Sequence, residues 1–207
     1  MTSTGPDIGA IMRTAPVIPV IVIDDVAQAK PVAEALVEGG LNVLEVTLRT
    51  PQALDAIAAM REVEGAIVGA GTVLNPANLG DALAAGSEFI VSPGLTEPLG
   101  RAAVESGIPF LPGIANSGDI MRGMDMGLSH FKFFPAEASG GLSALKALAG
   151  PFGEARFCPT GGVSQTSAPD WLAHPSVLCV GGSWIIPKGP LDTAEITRRA
   201  REASALA

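Results

Sequence analysis

Residues 43–73, VLEVTLRTPQALDAIAAMREVEGAIVGAGTV, contain the pattern that decides the fold. Apolar runs at Val43–Leu48 and Ala66–Val73 flank an alanine-rich segment, PQALDAIAAMREV. Short and nearly continuous apolar runs are typical of strands buried on both faces, and a longer alanine-rich segment favours a helix. The stretch therefore predicts two parallel strands joined by a helix.

The same unit repeats in both directions along the chain. Eight apolar runs begin 20 to 26 residues apart, and several intervening segments end in glycine, which commonly follows a helix C-terminus. Eight strand–helix units are the number that closes a (β/α)8 barrel. The predicted strands are Val17–Ile23, Val43–Leu48, Ala66–Val73, Phe89–Gly94, Pro109–Ile114, Phe131–Pro135, Arg156–Gly162 and Val177–Ser183, and the glycines are Gly39, Gly86, Gly107 and Gly127.

We therefore predict a single α/β domain over residues 1–207, folded as a compact (β/α)8 TIM barrel. The segment before Val17, which contains GAIMRTA, predicts a short N-terminal helix across one barrel end. An open doubly wound sheet is the alternative architecture. It is disfavoured because no G-x-G-x-x-G follows the first predicted strand.

Composition and charge argue against several classes of protein. A chain of 207 residues with 47% hydrophobic and 16% charged residues is typical of a compact globule and not of a disordered protein. The net charge of −8 and the lack of a basic run argue against a nucleic-acid partner. No apolar run approaches the roughly 20 residues of a membrane span, and the first residues lack the pattern of a signal peptide.

The cysteines and histidines indicate neither disulfides nor metal. Cys158 and Cys179 lie within apolar runs, which predicts reduced core thiols in a cytoplasmic protein. His130 and His174 lack metal-ligand spacing, so we expect no zinc or other transition-metal site.

A lysine interrupts the apolar run HFKFFPAE, residues 130–137. Phenylalanines flank Lys132 on both sides, and burial of this kind favours the neutral form of an amine. A neutral lysine is a nucleophile suited to forming a Schiff base with a carbonyl substrate. A lysine that reaches the surface from a strand end, or a structural ion pair, is the alternative.

Polar residues in VLEVTLRT share one face of the second predicted strand. By the period of two, Glu45, Thr47 and Arg49 point into the barrel while the leucine and valine face packs on helices. If Lys132 also faces the interior, it can meet Glu45 across the barrel. A buried Glu–Arg pair serving structure alone is the alternative, but such pairs give only weak stabilisation.

Further candidates lie at the ends of later strands, where barrel enzymes place their active sites. Asn75 and Pro76 form a helix-start signal, which leaves Thr72 available for a ligand. Two glycine pairs, Thr160-Gly161-Gly162 and Gly181-Gly182-Ser183, follow the last two strands. Glycine loops in these positions often bind phosphate through backbone N–H groups, although each pair alone also fits a tight turn.

Six motifs together resemble the 2-keto-3-deoxy-6-phosphogluconate (KDPG) aldolase family of the Entner–Doudoroff pathway. They are EVTLRT, GAGTVLNP, SPGLTEP, FKFFPAE, RFCPTGG and LCVGGSW, and they span about residues 17–187 in the family's order. The resemblance implies a class I aldolase on a (β/α)8 barrel, usually a homotrimer, that needs no metal. Its small-molecule substrate is a phosphorylated 2-keto-3-deoxy sugar acid, cleaved to pyruvate and glyceraldehyde 3-phosphate.

The resemblance also implies a role for each motif residue. Lys132 is the Schiff-base lysine, and Glu45 is the general acid and base. Arg49 and Thr72 would bind the pyruvate carboxylate. Pro93, Phe134 and Thr160 would line the pyruvyl pocket, and Gly161, Gly162, Gly182 and Ser183 would hold the phosphate.

Three other functions remain to be compared with this one. An aldolase for 4-hydroxy-2-oxoglutarate (KHG), or for the C4-epimeric phosphogalactonate, would use the same chemistry, and the motifs leave the C4 configuration open. A non-catalytic phosphosugar-binding barrel gives no reason for Glu45, Arg49 and Lys132 together. A metal-dependent aldolase is disfavoured by the missing histidine ligands.

Overall fold

The computed structural model describes residues 7–206 and contains an alternation of strands and helices. The strands are β1 Val17–Ile21, β2 Val43–Thr47, β3 Ile67–Gly71, β4 Ile90–Val91, β5 Phe110–Leu111, β6 Gly113–Ile114, β7 His130–Phe133, β8 Arg156–Pro159 and β9 Val180–Gly182. The helices are α1 Ile8–Met12, α2 Ala29–Glu38, α3 Ala53–Met60, α4 Pro76–Ala84, α5 Glu97–Ser106, α6 Ser117–Asp125, α7 Gly141–Ala149, α8 Ala168–Leu172 and α9 Thr193–Ser204, with a 3-10 turn at Val26–Gln28.

All strand pairs are parallel, and together they form the predicted barrel. One set runs in the order β5-β4-β3-β2-β1-β9 and the other in the order β6-β7-β8. Bridges from Phe157 to Val177 and from Thr160 to Gly181 join β8 to the last strand. The two sets are also joined by the chain itself, because β5 and β6 are separated only by Pro112. The predicted (β/α)8 architecture is confirmed.

Strand boundaries differ from the predicted ones for simple reasons. The fifth predicted strand divides at Pro112, because proline has no N–H to donate to a neighbouring strand. The last strand begins at Val180 instead of Val177, which makes only an isolated bridge. At the end of α2, Gly39 is the cap residue but Gly40 adopts the left-handed conformation, with φ of 88°.

Two apolar clusters lie on opposite faces of the barrel wall. The larger one fills the space between strands and helices, and it contains Leu44 and Val46 of β2. The smaller one fills the interior and includes Val43 of the same strand, so the predicted alternation is confirmed. Ile11 and Met12 of α1 belong to the interior cluster, which shows that the predicted N-terminal helix closes one end.

The interior cluster also contains the two cysteines, as the sequence predicts for core thiols. Cys158 and Cys179 are 2% and 0% exposed and are unpaired. The neighbouring Cys158 thiol, together with burial, raises the pKa of Cys179 well above its usual value. Cys179 therefore stays protonated at neutral pH.

None of the helices within the described part of the chain has both the length and the apolar character of a membrane span.

The helix α1 packs against a histidine at the closed end of the barrel. A Cβ at Gly9 would lie 2.6 Å from Nε2 of His130, so the ring rests on the helix backbone. Burial, followed by the positive charge of Arg13, lowers the pKa of His130, with a smaller contribution from Arg156; Asp7 acts in the opposite direction. Since an unfolded histidine titrates near 6.5, the unfolded chain binds more protons just below that pH.

We expect the free energy of unfolding to fall as the pH drops below about 6.5, and to fall less in a His130→Gln variant. Urea unfolding at a series of pH values between about 7 and 5.5 measures the difference. Parallel curves for wild type and His130→Gln would contradict the assignment.

Candidate active site

A cavity of about 360 Å³ opens at the carboxyl ends of the strands. This volume lies in the range of small-molecule sites, which usually combine apolar walls with a few polar groups. Nine of the eleven residues predicted from the sequence line it. The lining residues are Val20, Arg49, Thr72, Pro93, Lys132, Phe134, Thr160, Gly161, Gly162, Val163, Gly181 and Ser183.

The centre of the site is an ion pair between inward-facing side chains of two strands. Lys132 Nζ on β7 donates to Glu45 Oε1 on β2 over 2.9 Å, although 87 residues separate the two in sequence. The lysine side chain is 7% exposed and the glutamate 3%. The predicted meeting of these residues across the barrel is therefore confirmed. The pair places an amine and a proton acceptor together in a poorly solvated site.

Aromatic and apolar groups surround the lysine. Its Nζ lies 5.3 Å from the centroid of the Phe134 ring, within the range of a cation–π contact. Val20 on β1 pairs with Glu45 in the strand register and lines the same cavity. These neighbours keep water away from the ion pair, which strengthens every electrostatic interaction made there.

The backbone of Gly71 provides the space that Glu45 occupies. A Cβ at Gly71 would overlap the Glu45 carboxylate and would lie 2.7 Å from its Cγ. Gly71 ends β3, which is directly paired with β2. The glutamate therefore crosses the neighbouring strand at a position where no side chain blocks it.

Arg49 lies beyond the end of β2. The strand ends at Thr47, and Arg49 follows in an exposed turn, where its amide donates to Thr47 O over 2.7 Å. Strand alternation therefore does not apply to it, and its position at the cavity depends on the turn instead. Among the described residues, Glu45 pairs with Lys132 and not with Arg49. Arg49 nevertheless lines the cavity, at its mouth.

Thr72 has a backbone conformation that threonine rarely adopts. Its φ is 59°, and within residues 7–206 it is the only residue other than glycine with a positive φ. Left-handed conformations of β-branched residues cost of order 1–3 kcal/mol and tend to occur at functional sites. Asn75 caps α4, with its side chain accepting from the Asn78 amide, so Thr72 is not needed as a cap.

The glycine pair after β8 forms one wall of the cavity. Gly161 and Gly162 have φ values of 97° and 85°, a region that favours glycine strongly. Thr160 precedes them and is 5% exposed. A Cβ at Gly181 would lie 2.8 Å from Thr160 Cγ2, so this threonine also rests on a glycine of the neighbouring strand.

In the second glycine pair, the residue that lines the cavity is not the one assigned to the ligand from the sequence. Gly181 lines the cavity, whereas Gly182 does not. A Cβ at Gly182 would instead lie 2.6 Å from the Trp184 ring. Neighbouring strand residues face opposite sides, and this accounts for the difference. Ser183, exposed at the mouth, completes this side of the cavity.

Val20 and Val163 line the cavity but escaped the sequence prediction, and Gly181 was named only as a member of its glycine pair. Valines in apolar runs carry no chemical signal, although strand alternation could have placed Val20 on the inner face.

No group of three or more His, Cys, Asp or Glu residues within residues 7–206 is arranged to hold a metal ion.

The model of the KDPG and KHG aldolase family matches residues 8–201 of the chain. The chain belongs to this family. It is 63% identical over 199 residues to the 2-dehydro-3-deoxy-phosphogluconate aldolase of Zymomonas mobilis, with 96% of each chain covered. The family expected from the six motifs is thereby confirmed.

Two solved aldolase structures are similar over nearly their whole length. The Z. mobilis KDPG aldolase with 3-phosphoglycerate has a TM-score of 0.96 at 62% identity, covering 97% of this chain and 96% of that one. The KDPG aldolase of Legionella pneumophila, with pyruvate captured as a covalent carbinolamine intermediate, has a TM-score of 0.93 at 45% identity. Coverage is 97% of this chain and 99% of that one.

We expect a Gly71→Ala variant to displace the Glu45 carboxylate from Lys132, because the new methyl group needs the same space. Overpacking of this kind costs about 1–3 kcal/mol of stability. A crystal structure and a thermal melt measure the two effects. Gly80→Ala in α4 is the matched control, since nothing lies within 4 Å of its Cβ position. An undisturbed ion pair in Gly71→Ala would contradict the argument.

Proposed function

We propose that this protein is a class I aldolase that cleaves KDPG to pyruvate and glyceraldehyde 3-phosphate in the Entner–Doudoroff pathway. The observation that carries the proposal is the buried Lys132–Glu45 pair beside the cavity. A non-catalytic binding barrel would gain nothing from an amine held 2.9 Å from a carboxylate in an apolar interior, since such pairs are costly to bury.

Imine formation begins with a proton transfer within the pair. The hydrogen bond from Nζ to Oε1 lets Glu45 accept a proton from the Lys132 ammonium, which leaves a neutral amine. The amine attacks the C2 carbonyl carbon of the substrate and forms a carbinolamine. Glu45 then returns the proton to the departing hydroxyl, water leaves, and a protonated imine joins C2 to Lys132.

Cleavage uses the same two residues. The Glu45 carboxylate takes the proton of the C4 hydroxyl, and the electrons of the C3–C4 bond move into the imine. Glyceraldehyde 3-phosphate is released, and an enamine stays on Lys132. Glu45 protonates C3 of the enamine, and water then hydrolyses the imine to pyruvate and restores the lysine.

The two ends of the substrate would bind opposite walls of the cavity. Arg49 and Thr72 are proposed to bind the carboxylate of the pyruvyl part, because a guanidinium can hold a carboxylate through two hydrogen bonds. Pro93, Phe134 and Thr160 would enclose the same part. The phosphate would bind backbone N–H groups of Gly161, Gly162 and Gly182 and the Ser183 hydroxyl, at the end of β9.

Other features of the proposal rest on the family resemblance. We propose that residues 1–207 act as one domain, in the cytoplasm, as a homotrimer and without metal or another cofactor. The imine itself supplies the electron sink that a metal would otherwise provide. The small-molecule ligands of the two solved relatives, 3-phosphoglycerate and pyruvate, correspond to the two ends of this substrate.

A second substrate, KHG, is favoured by the name of the matching family. Its cleavage would produce pyruvate and glyoxylate through the same imine and the same proton transfers. The two activities differ only at the aldehyde end, where the cavity wall is made of glycines and Ser183. Direct comparison of kcat/KM for the two compounds decides which is preferred.

Borohydride reduction in the presence of pyruvate tests the central proposal. We expect a stable pyruvyl adduct on the peptide that carries Lys132, because reduction converts the imine to an amine that cannot hydrolyse. Lys132→Ala should abolish both the adduct and turnover, whereas Lys146→Ala, on the exposed side of α7, should leave both intact. An adduct on another lysine, or an active Lys132→Ala enzyme, would refute the mechanism.

We expect Arg49→Lys to raise KM by about tenfold with a smaller change in kcat, because lysine cannot reproduce a bidentate contact. Steady-state kinetics with KDPG measures the effect. Arg101→Lys, in an exposed pair with Glu97, is the control and should behave as wild type. Loss confined to kcat would show that Arg49 acts in the chemical step instead of in binding.

A further inference from the structure

Glu137 contacts the glycine loop after β8 from the neighbouring loop after β7. Its amide donates to Gly161 O over 3.0 Å, and the preceding amide of Ala136 donates to Thr160 O over 2.8 Å. A Cβ at Gly162 would lie 2.6 Å from Glu137 Cγ and 2.7 Å from its Cβ. The side chain of Glu137 therefore lies directly on the backbone of Gly162.

The carboxylate of Glu137 extends beyond the loop and is anchored at its far end. Trp171 Nε1 on α8 donates to Glu137 Oε1 over 3.1 Å. The Trp171 ring is 2% exposed and packs on Phe133 with centroids 6.3 Å apart. Phe133 is the strand neighbour of Lys132, so the anchor is part of the rigid outer wall of β7.

The charge of Glu137 is also accommodated by the fold. A Cβ at Gly141, the first residue of α7, would lie 3.3 Å from Oε2. The carboxylate therefore sits beside the N-terminus of a helix, where the macrodipole favours negative charge. This placement offsets the repulsion that an exposed carboxylate would exert on an anionic ligand nearby.

We infer that Glu137 is a positioning residue that holds the Gly161–Gly162 loop for the phosphorylated end of the substrate. The inference rests on the proposed function, because it needs a phosphate at this loop. Both glycines have positive φ and no side chains of their own, so they cannot hold their N–H groups in place by packing. Glu137 and its bond to Trp171 supply the missing constraint, and preorganised donors bind more tightly than mobile ones.

Three variants separate this role from a general effect on folding. Glu137→Ala removes the Cγ contact with Gly162 and the bond to Trp171, while the Cβ contact is kept. Trp171→Phe keeps an aromatic ring against Phe133 but removes the indole donor. Glu137→Gln keeps both the side-chain stem and an oxygen acceptor, and it serves as the conservative control.

The test compares the kinetics of each variant with a phosphorylated and an unphosphorylated substrate. With KDPG, we expect Glu137→Ala and Trp171→Phe each to raise KM by about tenfold and to leave kcat within about twofold, because the bond they remove orders the loop. Glu137→Gln should stay near wild type. With the same sugar acid lacking its phosphate, kcat/KM should be unchanged in all three variants, as should borohydride trapping of pyruvate on Lys132.

The double variant completes the test. Glu137→Ala with Trp171→Phe should be no worse than Glu137→Ala alone, since the bond that Trp171→Phe removes is already lost there. Equal losses for the phosphorylated and unphosphorylated substrates, additive effects in the double variant, or unchanged KM for KDPG would each overturn the inference. If the wild-type chain itself trapped no pyruvate, the proposed function would fail first, and that failure is visible before any variant is compared.

Discussion

The buried ion pair between Lys132 and Glu45 is the constraint around which the rest of the site is arranged. Two charges inside a barrel carry a large desolvation cost, and their attraction offsets it only when the geometry is good. Here the hydrogen bond spans 2.9 Å, and both side chains are almost fully buried. In the proposed function the pair also supplies the chemistry, because transfer of one proton from Lys132 to Glu45 converts the ion pair into a neutral amine and a carboxylic acid.

The polar side chains of the site need positions on the neighbouring strands that carry no side chain. Glu45 lies over Gly71, and Thr160 lies over Gly181, so two polar side chains on inner faces each rest on a glycine of the adjacent strand. Val20 and Phe134 then limit contact with water. At the opposite end of the barrel, α1 and the interior apolar cluster close the lumen. The charged part of the interior is thus confined to the end where the cavity opens.

The two walls of the cavity differ in how they would hold an anion. Arg49 and Lys132 are the cations among the lining residues, and both lie on the side proposed for the pyruvyl group. The other side presents glycine backbone and Ser183. A chain with a net charge of −8 attracts anions only through such local groups, since its overall field opposes them. Backbone donors without a cation depend on exact placement, which makes the residues that fix the glycine loop important for binding.

Several features of the site could be predicted from the sequence because they depend on residues that lie close together in the chain. The period of two in VLEVTLRT put Glu45 inside, whereas the same rule put Lys132 and Phe134 on one face of β7 without showing that this face is the inner one. The rule does not reach Arg49, because it applies only within a strand and β2 ends two residues earlier. Gly181 was missed in favour of Gly182 for a related reason, since a pair of identical residues gives no indication of which one faces inward.

The eight-unit barrel, the family and the candidate reactive residues follow from the sequence alone, because strand periodicity, glycine positions and motif order are encoded within short segments. Only the tertiary structure decided which residues touch. The register of nine strands brought Lys132 and Glu45 together across 87 residues, and it left Gly71 beneath the carboxylate. It also placed Glu137 over Gly162 and against Trp171 on α8, and no local pattern in the sequence predicts these contacts. Such contacts depend on the distances between distant segments, which are set when the barrel closes.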